Sequence, residues 1–280
     1  MRDMPQDEDW TTRKLDYEPP RIDTSKAHSA RVYDYILGGK DNYLPDREAA
    51  EQLLKATPSA EASVRQNRQF MQRVARYLAA DEGIGQFLDI GTGIPTSPNL
   101  HEVTQQVNPA ARVVYLDNDP IVLAHAHARL TSSPEGKVTY IHADMRDVRA
   151  VLTAPELTAT LDLSQPVALL ILSTLHLITD PDEARELLGA YVAALAPGSI
   201  LALSVSTHDA LPADDQGVSS LRSSGINVLQ RTRAEVTALF DGLELIEPGV
   251  VLVNQWRPEA DAPEAKLAEI GLSCGVARKH

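Results

Sequence analysis

LDIGTGIPTSPN, residues 88–99, follows directly from a short apolar run at Gln86–Ile90 and carries two glycines, Gly91 and Gly93. A strand that ends in a glycine turn and leads into a helix is how a parallel α/β unit begins. Glycine there lets the backbone turn tightly and approach a ligand with no Cβ in the way. Working outward, further strands are read at Arg112–Leu116, Val138–His142, Val167–Leu172 and Ser199–Val205, with helices between them at 98–107 and 120–130. Val167–Leu172 is apolar throughout, as suits a central strand covered on both faces. Asp180, Pro181 and Glu183 supply the cap, first-turn proline and capping box of another helix, which Pro197 and Gly198 end. Thr232 and Glu235 form a second capping box, for a helix running to Phe240. The stretch 208–231 reads as a loop insertion, and two apolar runs, Leu243–Val253 and Leu272–Ala277, complete the chain. This order predicts one doubly wound α/β domain that binds its ligand at the strand ends.

Upstream of the glycine turn the pattern is helical. Residues 1–27 are polar, with Pro5, Pro19 and Pro20, and read as a flexible tail. A helix begins near Ala30 and stops at Gly38 and Gly39; a second spans Pro45–Ala56. A third takes Thr57 as cap and Pro58 as first residue, with Val64, Met71, Val74 and Leu78 as its apolar stripe. The expected division is therefore a tail at 1–27, a helical cap or lid at 28–84 and a ligand-binding domain at 85–280.

Composition narrows the partners. The chain has 280 residues and a net charge of −13, which argues against a nucleic-acid partner, since duplex affinity rests on lysine and arginine. Cys274 is the single cysteine, so neither an intrachain disulfide nor a cysteine zinc cage can form. His125 and His127 stand two apart on a predicted helix and point in different directions, so no metal site is expected. No apolar run is long enough for a membrane span, and a soluble, cytoplasmic protein is the expectation.

The glycine turn and the acids after it select a ligand. A dinucleotide loop wants a third glycine where Thr96 stands, and Pro95 and Pro98 remove two N–H groups from a would-be phosphate cradle. Asp117 ends the second strand, placed to accept hydrogen bonds from both hydroxyls of a ribose; Asp144 follows the third, placed to meet an adenine amino group. Asp119, before Pro120, reads as a helix cap. S-adenosylmethionine has the adenosine, lacks phosphates and carries a cation that suits acidic surroundings. Asp89 would orient the loop or the methionine amino group. Asn118, Met145 and Ser173, beside these positions, complete the expected cofactor set.

LDIGTGIPTSPN, VVYLDNDPIVLAHA and HADMRD together resemble the class I S-adenosylmethionine-dependent methyltransferases. ARVYDYILGGKDNYLPDREAA, residues 30–50, resembles the N-terminal signature of the actinobacterial S-adenosyl methyltransferase family, which shares the proline at 95. The resemblance implies a Rossmann-like sheet of seven strands with the last antiparallel, and a cofactor site lined by Gly91, Gly93, Asp117 and Asp144. It implies no methyl acceptor. Methyl transfer is an in-line displacement that needs a general base only when the nucleophile must lose a proton. His176, in LSTLHLITD at the tip of the fourth strand, is the candidate base; His208 is a second candidate. The Asn/Asp-Pro-Pro-Tyr tetrapeptide of base-amino methylation is absent, and Ser173–His176 resembles the turn of small-molecule methyltransferases. Arg31, Tyr33, Lys40 and Asn42, around the glycine pair, are expected to form a lid on the substrate side. The expected function is methyl transfer to a small molecule; the alternative is a non-catalytic sensor of S-adenosylmethionine or S-adenosylhomocysteine.

Overall fold

Side chains alternate along the central strands and feed two cores, one on each face of a single sheet. In the computed structural model, which describes residues 22–122, 124, 131–209, 216–259 and 270–280, the strands β1 (Gln86–Ile90), β2 (Arg112–Asp117), β3 (Lys137–His142), β4 (Ala168–Leu172) and β5 (Ile200–Ser206) are parallel. Leu88, Val114, Leu169 and Leu203 point to one face; Phe87, Val113, Leu170 and Ala202 point to the other. The period of two thus buries apolar residues on both sides, as the apolar reading of the fourth strand requires.

Beyond β5 the pairing reverses. The two-residue strands β6 (Glu244–Leu245) and β7 (Val251–Leu252), with β8 (Leu272–Arg278), complete a sheet of order β3-β2-β1-β4-β5-β8-β6, in which β7 also pairs with β8. β8 lies antiparallel to β5 and β6. The sheet is thus the doubly wound class I form, with eight strands rather than seven. The extra strand arises because the segment around Pro248 and Gly249 leaves the ladder and divides the run Leu243–Val253 into β6 and β7, which both lie antiparallel to β8.

The helices α1 (Ser29–Ile36), α2 (Leu44–Ala56) and α3 (Ala60–Ala80) precede the sheet. α3 starts two residues later than its proline suggested: Thr57 closes α2, and Ser59 is the residue before α3. Phe70, Met71, Val74 and Leu78 pack α3 onto the sheet, so this helix belongs to the α/β core rather than to a separate cap. α1 and α2 instead build a smaller cluster with Ile226 and Val228, residues of the expected loop insertion. That insertion contains a helix, α8 (Gln216–Ser223) in chain order after α4 (Leu100–Val107), α5 (Val148–Thr153), α6 (Pro155–Thr158) and α7 (Pro181–Ala194), and before α9 (Arg233–Ala238). Gly217 lets it dock: a Cβ there would stand 2.2 Å from Thr57 Oγ1 on the α2 side.

The chain is already ordered before position 28, where the tail was expected to end. Ile22 packs against Ile94, Ile121 and Val122, and Arg31 donates to the carbonyls of Asp23 and Lys26. Residues 1–21, and most of the helix expected at 120–130 with His125 and His127, lie outside the described residues. Among the described residues no helix is long and apolar enough to cross a membrane.

Candidate functional site

The glycine loop is folded back over the end of β2. Gly91 N and Thr92 N both donate to Leu116 O, at 2.7 and 3.1 Å, and Gly93 N donates to Asp117 Oδ2 at 2.8 Å. Gly91 has φ +71°, and a Cβ there would lie 2.4 Å from the side chain of Thr174, so this position is closed to larger residues on two counts. The N-terminus of α4 is capped from within: Asn99 and Glu102 form a reciprocal box, and Thr96 N donates to Asn99 Oδ1. A carboxylate at that helix start disfavours a bound phosphate, in agreement with the two prolines of the loop.

Asp117 is buried, and each of its oxygens accepts one backbone N–H, Oδ1 from Asp119 and Oδ2 from Gly93. A carboxylate oxygen has a second lone pair, so both remain able to accept a hydroxyl. Burial pushes the Asp117 carboxyl above the usual range, against the pull of those two N–H groups. Asp89, also buried, is pushed up to about 7 by desolvation, opposed by a hydrogen bond with Thr92 and the charge of Arg68. Two buried carboxylates beside a glycine turn form a setting that a cation would relieve.

These groups open onto one cavity of about 360 Å³. Every residue of the expected cofactor set lines it: Asp89, Gly91, Gly93, Asp117, Asn118, Asp144, Met145 and Ser173. Asp144 is half exposed, holding Arg146 N at 2.9 Å, and Tyr191 Oη fixes the neighbouring Met145 through its carbonyl at 2.8 Å. Ser173, at the tip of β4, sits at φ +56°, a conformation that costs a non-glycine residue free energy and persists only where surroundings impose it. Its N–H is held by both Ser204 O and Ser204 Oγ.

The lid residues divide. Tyr33 lines the cavity; Arg31, Lys40 and Asn42 do not. Arg31 is buried and faces two carboxylates, Asp119 at 3.2 Å and Asp46 at 3.5 Å. Asn42 is buried as well, donating to Asp34 Oδ2 and accepting from Arg47 Nε. Both are internal struts of the α1–α2 turn, where charged and amide groups pair with each other instead of with a ligand. Lys40 is exposed. Asp119 caps its helix through Ile121 N and also receives Arg31 and His28, which ties α1 to the sheet.

The two histidines proposed as bases do not line the cavity. His176 lies in a 3-10 turn, Leu175–Leu177, with Nδ1 accepting from Ser206 N at 3.3 Å and its carbonyl accepting from Leu229 N at 2.8 Å. Burial, then the charge of Arg231, pushes its pKa down to about 4. A neutral ring bonded to the backbone is the arrangement of a structural histidine. His208 is exposed beyond β5. Glu183 does not complete the capping box expected of it: Asp180 alone caps α7, and the Glu183 carboxylate takes Arg146 Nε.

Several cavity residues escaped the sequence reading. Arg68 donates to Pro98 O at 2.8 Å and to Thr96 O, clamping the glycine loop from α3. Asn67, Met71 and Ile226 form wall beside it, and His28 contributes from the start of α1. Asn67 was findable: it stands three residues after Val64 and four before Met71, an amide inside the apolar stripe.

Comparison with known proteins gives the family. A DUF574 family protein from Streptomyces avermitilis matches with 45% identity and a TM-score of 0.89, over 93% of this chain and 100% of that one. A candidate methyltransferase from Thermobifida fusca matches with 40% identity and a TM-score of 0.86, over 94% and 98%. No curated protein matches the chain. The model of the S-adenosyl methyltransferase family matches residues 16–280. The chain belongs to that family, and its cofactor is S-adenosylmethionine.

Proposed function

We propose that the chain transfers a methyl group from S-adenosylmethionine to a small molecule with an apolar body. The observation that supports this is the composition of the cavity wall. Besides its acids and glycines, the cavity is lined by Leu37, Met71, Leu172, Leu177, Ile178 and Ile226. Enclosed apolar clefts with a few fixed polar groups are the usual form of small-molecule sites. When bound, the cofactor supplies an electrophilic methyl on a sulfonium. Asp117 would hold the ribose hydroxyls, Asp89 the cationic methionine end and Asp144 the adenine amino group. Gly91 and Gly93 give the backbone close approach, while the apolar wall excludes water and orients the acceptor for in-line attack. A nucleophile that brings its own lone pair needs no protein base, so a structural His176 is compatible with catalysis.

The test uses S-adenosylmethionine labelled at the methyl group, with a cell extract divided by size into metabolite and macromolecule fractions. Label should pass to an extractable small molecule from the metabolite fraction. Label entering only macromolecules overturns the small-molecule reading. Tight cofactor binding with no transfer to either fraction makes the protein a sensor instead.

A further inference from the structure

Four hydrogen bonds run head to tail from the tip of β4 to the cap helix. Ser173 N donates to Ser204 Oγ at 2.9 Å, and Ser204 Oγ donates to Asn67 Oδ1 at 2.7 Å. Asn67 Nδ2 then donates to Tyr33 Oη at 3.0 Å, and Tyr33 Oη donates to Val64 O at 3.2 Å. The direction is forced at one end. A carbonyl can only accept, so Tyr33 Oη gives its one proton to Val64 O and must accept from Asn67. That fixes Asn67 with its oxygen toward Ser204 and its amide nitrogen toward Tyr33.

The chain joins elements that are far apart in sequence: β4 and β5 of the sheet, α3 over its face and α1 of the cap. Ser204 is fully buried and Asn67 nearly so, which strengthens each link and makes a broken one costly. Three of its members, Ser173, Asn67 and Tyr33, line the cavity. Ser173 is also the member with the strained backbone, and among the described residues its N–H is held by Ser204 O and Oγ.

We propose that Asn67 is a positioning residue that couples the cap helix to the cofactor turn, so that the contacts of Tyr33 and the conformation of Ser173 are set together. The proposal rests on the reading of the Ser173 turn as part of the cofactor site. Coupling of this kind makes the walls of the cavity at Ser173 and at Tyr33 interdependent, and by linkage each must bias the other equally.

The experiment measures two quantities on the full chain: affinity for S-adenosylhomocysteine by calorimetry, and hydrogen exchange of the Ser173 amide without ligand. Asn67→Ala and Ser204→Ala should each weaken binding about tenfold and speed exchange at Ser173. The double variant should be no weaker than the worse single one, because both break the same chain. Asn67→Asp keeps an acceptor for Ser204 but loses the donor to Tyr33, so it should preserve slow exchange at Ser173 better than Asn67→Ala does. Tyr33→Phe removes only a hydroxyl and keeps the ring packed; it should weaken binding about threefold and lower the melting temperature by a few degrees. Unchanged Ser173 exchange in Asn67→Ala overturns the coupling, as do independent, multiplying losses in the double variant. If the alanine variants fail to fold, wild-type affinity and exchange in Tyr33→Phe overturn it alone. Wild-type protein without affinity for S-adenosylhomocysteine overturns the cofactor assignment itself, whatever the exchange shows.

Discussion

Asp89 makes cofactor affinity dependent on pH in a window that ordinary aspartates do not reach. Burial at the end of β1 raises its pKa to about 7, with Thr92 and Arg68 limiting the shift. The cofactor brings cationic groups, so the ionised form of Asp89 is the binding form. With a pKa near 7, roughly 9% of the protein carries that charge at pH 6 and roughly three-quarters at pH 7.5. If only the ionised form binds, affinity should rise about eightfold between those values. Asp117, also raised, acts in the same direction. Titration calorimetry at half-unit steps from pH 5.5 to 7.5 reads the slope directly, with S-adenosylhomocysteine as the stable ligand. Asp89→Asn should flatten most of it and lower affinity at pH 7.5 to near the wild-type value at pH 6.

The same shift has a consequence for stability with the opposite sign. In the unfolded chain Asp89 ionises near its ordinary pKa, whereas in the folded chain it stays protonated up to about 7. Between about 4 and 7 the folded state therefore binds the extra proton, and stability without ligand falls as pH rises through that window. Asp89→Asn removes the penalty, so it should melt higher than wild type at pH 7.5 and close to it at pH 4.5. An affinity independent of pH, or a slope that survives in Asp89→Asn, would refute the placement of this carboxyl at the cationic end.

Asp117→Ala should weaken cofactor binding roughly a hundredfold, since two hydroxyl contacts to a charged acceptor are lost. Asp117→Asn, which keeps an acceptor for one backbone N–H, separates ribose contact from loop support; equal affinity to wild type in both variants would sink the assignment. Arg31→Met should destabilise by about 3–5 kcal/mol in urea denaturation, because it leaves Asp119 and Asp46 buried without their cation. A loss below about 1 kcal/mol would show that His28 and the backbone N–H groups suffice for those acids. His176→Gln should leave S-adenosylhomocysteine affinity unchanged and lower the melting temperature by a few degrees, the value of about one hydrogen bond. Loss of methyl transfer at unchanged affinity and stability would restore His176 as a base.

What the sequence made legible follows from what each signal encodes. Strand order and the cofactor end were readable because period-two apolar runs and glycine turns are local, and because the chemistry of a ribose or a cation demands a particular residue type at a strand end. Every residue expected at that end does line the cavity. The signature around Gly38 and Gly39 was misread in part because a dense polar segment has two physical explanations. Polar groups gather either to meet a ligand or to satisfy one another when buried, and composition alone does not separate the cases. Arg31 with Asp46 and Asp119, and Asn42 with Asp34 and Arg47, belong to the second case; Tyr33 alone of the four reaches the cavity. The partners that decide between them, Asp119 for Arg31 and Asn67 for Tyr33, stand 88 and 34 positions away in the chain. Periodicity carries no information across such distances. A trace of the long-range design is the amide at 67, which interrupts the apolar stripe of α3. A polar residue inside an otherwise apolar helix face is therefore the more specific pointer to this site than the polar segment that first drew attention to the cap.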